Sequence, residues 1–193
     1  MKEAKVQLHQ HYPRTVTLAN NSSVTLRLMT PFDGERILAF ARSLPADDLL
    51  FLRTDITDPD VVAQWAQSVN AGFTITLIAQ IRSEMAGYAS LHHNAVTWQR
   101  HLGEIRIQVG PRYRSQGLGR ILASEVFSIG RALGLRKIVA QMTADQKGAI
   151  ATFERLGFQT EALLQDFVID RRDRTRDLLV MSYDVIGFTT HVN

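Results

Sequence analysis

Glu104-Ile105-Arg106-Ile107-Gln108-Val109 leads into Gly110-Pro111-Arg112-Tyr113 and then Arg114-Ser115-Gln116-Gly117-Leu118-Gly119-Arg120. These residue types can do two kinds of chemistry. Gly117 and Gly119 have no Cβ to hold a phosphate away from backbone N–H groups, and Arg114 and Arg120 add mobile positive charge beside them. Glu104 is a carboxylate that could take a proton from an attacking group. From Arg106 to Lys137 there are seven basic residues (106, 112, 114, 120, 131, 136 and 137) against one acid, Glu125, whereas the rest of the chain has 15 basic and 18 acidic residues. The excess positive charge is therefore local to the anion site.

An anion site of this kind needs a strand to deliver the loop and a helix to receive the anion. Residues 104–109 alternate polar with Ile and Val, the two-residue period of a half-buried strand, and Gly110-Pro111 ends it. Leu118, Ile121, Leu122, Val126, Ile129 and Leu133 then recur at spacings of three and four, which predicts a helix with one apolar face. The first turn of such a helix leaves N–H groups unpaired and carries about half a positive charge. Two familiar phosphate loops do not fit. The string G-x-x-x-x-G-K-[ST] does not occur. For a dinucleotide fingerprint, Leu122 stands where the third glycine belongs, seven residues separate Val109 from Gly117, and Arg136-Lys137 occupy the place of the acid.

A chain of 193 residues, 45% of them hydrophobic, suits one well-packed domain. With no cysteine, disulfides, thiolate metal sites and a Cys-acyl intermediate are excluded. No run of 18 apolar residues exists, and Met1-Lys2-Glu3-Ala4-Lys5 lacks the apolar core of a signal peptide, so the expected location is cytoplasmic, without a membrane partner. Nucleic acid is not an expected partner either, since the basic segment has no interleaved aromatics beyond Tyr113.

Residues 1–21 show no sustained period and read as an N-terminal arm. His9 and His11 have no third ligand nearby, so no metal site is expected. Strands are predicted at 23–28, 73–79, 87–91 and 137–142, with a last hairpin of 158–169 and 178–185. Helices are predicted at 32–43, 44–53, 61–70 and 145–156. Asp47, Asp48, Asp55, Asp58 and Asp60 face only Arg53, and are either helix caps and solvated faces or an acidic wall that attracts a cationic amine. Paired strands around a central βαβ unit predict an α/β (α+β) fold, a mixed sheet with helices on both faces. A single domain spans 22–186 and a tail spans 187–193.

Arg114-Ser115-Gln116-Gly117-Leu118-Gly119 resembles the [RQ]-x-x-G-x-[GA] signature of the GNAT superfamily of acyl-CoA-dependent N-acetyltransferases. The stretch Gln146-Lys147-Gly148-Ala149-Ile150-Ala151-Thr152-Phe153-Glu154-Arg155-Leu156-Gly157-Phe158 resembles the family's second signature, about 30 residues later with a strand between. The resemblance implies the GNAT fold, in which the central strand and the next splay apart. It implies acetyl-CoA as donor, with the pantetheine arm pairing to backbone around Gln108, Val109 and Gly110 and the phosphates on residues 114–120. Gln146 stands where relatives usually carry Asn and keeps an amide for the pantetheine. Glu104 occupies a place from which relatives often present a general base.

An amine attacks a thioester only when neutral, and deprotonating one of pKa about 10.4 at pH 7 costs roughly 4.6 kcal/mol, so a base is wanted. The sequence departs from the family at Phe153, where many relatives carry a tyrosine that protonates the leaving thiolate. A thiol of pKa about 8.5 leaves only ~2 kcal/mol to be made up, so water could serve, or Tyr183 or Tyr88 if either reaches the sulfur. The expected function is acetyl transfer to a primary amine, either a small molecule or a protein lysine, by direct attack in a ternary complex. The alternative is a non-catalytic domain that senses acyl-CoA. The family also suggests a homodimer through the last strands.

Overall fold

The computed structural model describes residues 8–50, 52 and 54–185. Eight strands form one sheet in the order β1-β2-β3-β4-β5-β6-β8-β7. They are β1 (Arg14–Thr17), β2 (Ser23–Leu28), β3 (Thr74–Ile81), β4 (Glu84–His93), β5 (Leu102–Val109), β6 (Lys137–Thr143), β7 (Gln159–Ile169) and β8 (Thr175–Asp184). Among the described residues only β5 and β6 run parallel, and every other pair is antiparallel. The mixed, mostly antiparallel sheet expected from the sequence is present.

Five helices cover it: α1 (Gly34–Arg42), α2 (Ala46–Leu50), α3 (Pro59–Ala71), α4 (Leu118–Ala132) and α5 (Lys147–Arg155). Leu118, Leu122, Val126 and Ile129 of α4 pack with Ile105, Ile138 and Met181 in the larger core, to which Phe153 of α5 also belongs. Ile37, Leu38 and Phe40 of α1 and Val62 of α3 pack with Ile78 and Tyr88 on the other face. β3 and β4 are sandwiched between the two cores and are buried almost throughout, so they read as apolar runs rather than alternating strands. Among the described residues no helix is long and apolar enough to cross a membrane.

The expected N-terminal arm is corrected by the structure. Residues 8–11 form a helical turn and β1 extends the sheet. Tyr12 is buried and donates its hydroxyl to Glu125 Oε2 of α4 at 2.7 Å, while Arg14 reaches Glu125 Oε1 at 3.0 Å. The segment is polar because it is a sheet edge held by a buried carboxylate, a contact between residues 113 apart that no local period reveals. The predicted tail at 187–193 and the first five residues lie outside the described residues.

The exit from β2 is fixed by Asp33, which is 2% exposed. Arg27 Nη1 and Nη2 donate to its two oxygens at 2.8 and 2.5 Å, Arg36 Nη1 donates at 2.7 Å, and the Thr30 amide at 2.8 Å. Burial alone would raise this carboxyl, but the Arg27 and Thr30 donors overcome it and hold it well below the usual carboxylate range. The stability it contributes is present above the ordinary carboxyl pKa of about 3.9 and is lost as pH falls through the lower folded value. Asp33→Asn is expected to cost about 3 kcal/mol near neutral pH, because it breaks a buried pair by removing one partner. Denaturant unfolding from pH 7 to pH 3 should show the variant's deficit shrinking as the wild type loses the same interaction.

Candidate active-site cleft

The central strands part company where the chemistry is expected. β5 pairs with β6 only over Leu102↔Lys137, Gly103↔Ile138 and Glu104↔Val139. Beyond that point β5 stays with β4 to Gly87↔Val109, and β6 stays with β8 to Thr143↔Leu178. Each strand follows its antiparallel neighbour, and the sheet opens between them. A cavity of about 300 Å³ occupies the opening, with Glu104, Arg106 and Gln108 on one side, Ala140 to Met142 on the other, and Leu52, Ile56 and Trp65 as a roof.

The loop after β5 leads from that strand to α4. A short 3₁₀ turn, Pro111–Tyr113, leads to Ser115 at φ 60° and Gly117 at φ 86°, both left-handed, and α4 begins at Leu118 without a side-chain cap. Gly117 is needed for its backbone angle. Gly119 is not at positive φ, and a Cβ there would meet only Val109 Cγ2 at 3.8 Å. Neither glycine is forced by contact with the protein, since nothing lies within 4 Å of a Cβ built on Gly117. The space over the first turn of α4 is clear and rich in N–H donors, which fits a diphosphate.

The sequence-predicted cofactor residues divide by what they already hold. Arg114 Nε donates to Val109 O at 3.1 Å, and its guanidinium also meets Asp48. Gln116 donates to Arg112 O at 2.8 Å and accepts from Asn20 Nδ2 at 2.8 Å, while its backbone carbonyl accepts from the Ala19 amide. Its side chain shapes the loop. Leu118 is 1% exposed and offers only backbone. Arg120 is exposed on the first turn of α4. Because the turn between β1 and β2 holds Gln116, Asn20→Ala is expected to weaken acetyl-CoA binding about fivefold, the loss of one or two ordinary hydrogen bonds. Calorimetry would measure it, with an unchanged melting temperature separating loop geometry from stability.

The backbone expectation needs correction at Gln108 and Gly110 but not at Val109. The Gly110 amide donates to Ala86 O at 2.8 Å, and in this antiparallel register Gln108 lies directly opposite Tyr88 two residues earlier. Alternation therefore turns the backbone groups of Gln108 and Gly110 toward β4 and those of Ile107 and Val109 toward the gap. Gln108 reaches the cavity by its side chain instead. A Cβ on Gly110 would press on Ala86 O and Phe40 Cε2 at 3.2 and 3.3 Å, so that glycine serves packing.

Inside the gap, Glu104 faces the cavity with its side chain 22% exposed and its Oε1 3.0 Å from Arg106 Nε. Gln146 and Phe153 line the same cavity. Gln146 Oε1 accepts from the Thr143 amide at 3.2 Å, so the amide NH₂ is the part left for a ligand. Phe153 is 9% exposed and packs edge-on against Phe158. Tyr183 is not in the cleft. Glu104, Val139 and Ser182 are aligned across the sheet on one face, so the next residue, Tyr183, points to the other. There it stacks on Phe127 of α4 with centroids 4.9 Å apart. Tyr88 does line the cavity, and burial pushes its phenol up to about 12.

Three of the five aspartates make structural contacts, while the Asp47 side chain and Arg53 lie outside the described residues. Asp48 pairs with Arg114, Asp55 with Arg171 and Thr57, and the Asp58 side chain caps α3 by accepting from the Asp60 amide. Among the described residues, Asp48 is the only aspartate that lines the cavity. Sequence reasoning missed His92, Ser90 and Thr74, which also line it. No signal within either segment finds them: the β4–β5 register brings His92, Ser90 and Tyr88 to the face that carries Glu104, Arg106 and Gln108.

The sheet is split at one strand pair, with a glycine-bearing strand-to-helix loop after β5 and the Glu104 carboxylate in the opening. Residues 38–158 match the Acetyltransferase (GNAT) family, and the chain belongs to that family. Solved structures agree in fold. One is yncA, a candidate acetyltransferase from Salmonella typhimurium solved with its cofactor acetyl-CoA (21% identity, 86% of this chain and 96% of that one, TM-score 0.73). Another is a ribosomal-protein-alanine N-acetyltransferase from Brucella melitensis (24%, 82% and 98%, 0.71). A third is a chimera of the spermidine N-acetyltransferase SpeG from Vibrio cholerae with hSSAT (17%, 84% and 95%, 0.70).

Proposed function

We propose that the protein transfers an acetyl group from acetyl-CoA to a primary amine by direct attack in a ternary complex. The observation that carries this reading is the opening of the sheet after Glu104↔Val139, where a cavity holds the Glu104 carboxylate beside β5, the strand whose far end leads through a short loop to the first turn of α4. Acetyl-CoA supplies the activated carbonyl carbon. Its diphosphate would rest on the N–H groups following Gly117, with Arg114 and Arg120 adding charge, and its pantetheine arm would meet the backbone of Ile107 and Val109. Gln108, Gln146 and Phe153 would line its path.

Glu104 is the general base in this reading. It lies in the cavity and can take the proton of an amine that would otherwise have to shed it at a cost of roughly 4.6 kcal/mol. The thiolate needs less help. Tyr88, the tyrosine in the cavity, holds its proton too tightly to give it up to a thiolate of pKa about 8.5, a transfer uphill by roughly 5 kcal/mol. Tyr88 therefore stabilises the departing sulfur as a hydrogen-bond donor, and water protonates it.

The alternative, an acyl-CoA sensor without catalysis, draws on Phe153 in place of a tyrosine. Calorimetric titration with acetyl-CoA, followed by thiol release in the presence of spermidine and of a lysine-bearing peptide, distinguishes them. Micromolar binding with amine-dependent thiol release supports the enzyme, binding without release supports the sensor, and no binding refutes both.

A further inference from the structure

Glu104 is one half of a cross-strand pair. His92 of β4 lies directly opposite it, and side chains so paired stand about 5 Å apart at Cβ on one face of the sheet. Thr74 of β3 lies opposite His92 in turn, and its Oγ1 is 3.0 Å from His92 Nδ1. The row Thr74, His92, Glu104 crosses three strands with the imidazole in the middle. His92 and Glu104 line the inner cavity, and both also line a more open groove of about 600 Å³ that continues over Gly103, Gln141 and Val180. They stand where the two meet. The neighbouring polar row offers no way out: Trp65 Nε1 donates to Thr76 Oγ1 at 3.1 Å, Thr76 meets Ser90 Oγ at 2.9 Å, and Thr76 and Ser90 are buried.

A base at Glu104 must lose its proton before each new cycle, yet its side chain is mostly covered and its Oε1 is engaged by Arg106. Imidazole ordinarily titrates near pH 6.5, so it both takes and releases protons around neutrality. We infer that His92 carries the amine's proton from Glu104 out to the groove. This rests on Glu104 as the base. As the amine nitrogen bonds to the thioester carbon, the C–S bond breaks and the sulfur leaves with the electron pair. The ammonium proton passes to the Glu104 carboxylate, then to His92, then to water; the second N–H proton, shed as the C–N bond forms, goes to water and water gives one proton to the thiolate, so each turnover releases one proton. The ionisable groups lining the cavity around His92 are Glu104 and Arg106 from β5, Tyr88 on its own strand and Asp48 from α2; α3 presents Gln64, Trp65 and Ser68.

Two measurements test the inference. NMR titration of His92 needs no acceptor: in Glu104→Gln the midpoint should fall by about one unit as the neighbouring negative charge is lost, and an unmoved midpoint overturns the proposal. Thiol release from acetyl-CoA, with spermidine, a lysine-bearing peptide or water as acceptor, should drop at least about tenfold in His92→Ala. Acetyl-CoA affinity should be unchanged, and added imidazole should restore the variant but not affect the wild type. Unchanged release, or a loss that imidazole does not restore, overturns it. His92→Gln keeps a polar partner for Thr74 and should match His92→Ala in release while folding as the wild type does. If Glu104→Gln is fully active, the base assignment falls and this proposal with it. If Glu104→Gln is impaired and the His92 variants are not, only the proton-carrying role falls.

Discussion

Gly119→Glu is expected to fold normally and to bind acetyl-CoA about a thousandfold more weakly than the wild type. Position 119 is the second residue of α4, and a Cβ there meets only Val109 Cγ2 at 3.8 Å, so the larger side chain has room to leave the helix. A carboxylate in a first helical turn is itself favourable by up to about 1 kcal/mol. The fold therefore gains or breaks even, while the ligand loses. Two like charges about 4 Å apart at an effective dielectric of about 20 repel by roughly 4 kcal/mol, which is about three orders of magnitude in affinity. Gly119→Ala sharpens the argument, because it should raise helix stability by about 1 kcal/mol while still crowding the ligand. A variant that melts higher and binds more weakly identifies a glycine kept for a ligand. If Gly119→Glu binds acetyl-CoA as the wild type does, the diphosphate does not sit on this turn.

Glu104→Gln should lower turnover at pH 7 by about 10² to 10⁴, the usual contribution of a positioned base, with acetyl-CoA affinity intact. The loss should shrink as pH rises. The neutral fraction of an amine of pKa about 10.4 grows tenfold per unit below that value, so by about pH 10 solution does the work that the carboxylate does at pH 7. A log rate that rises with unit slope in the variant, and is flatter in the wild type, is the expected pair of profiles. Equal turnover of the two proteins at pH 7 would remove Glu104 from the mechanism.

The organisation around β5 and α4 was legible because it is local. The alternation of 104–109, the break at Gly110-Pro111 and the three-and-four spacing from Leu118 are properties of neighbouring residues, and the structure keeps them as β5 and α4. Four positions singled out by the family resemblance, Glu104, Gln108, Gln146 and Phe153, line the cavity as a group. The loop residues 114–120 follow from the same strand-to-helix order.

What failed, failed where partners are distant. The strand at Arg14–Thr17 depends on Tyr12 reaching Glu125, and the shape of the phosphate loop depends on Asn20 reaching Gln116; no period in residues 1–21 encodes either contact. Tyr183 could be named as an acid from its type alone, but a strand shows its residues to alternate faces, and only the β5-β6-β8 register reveals that Tyr183 points away from Glu104. Asp48, Asp55 and Asp58, which look like part of an acidic wall in one dimension, are engaged in three by Arg114, Arg171 and a helix cap. The sequence by itself determined the strand-loop-helix order around β5 and α4, because hydrophobic period and turn chemistry act over a few residues, and its resemblance to the family pointed to the loop and to Glu104. Tertiary structure alone decided which tyrosine enters the cleft, which backbone groups face the gap and that His92 stands beside Glu104, because those follow from strand register, a property of pairs of segments.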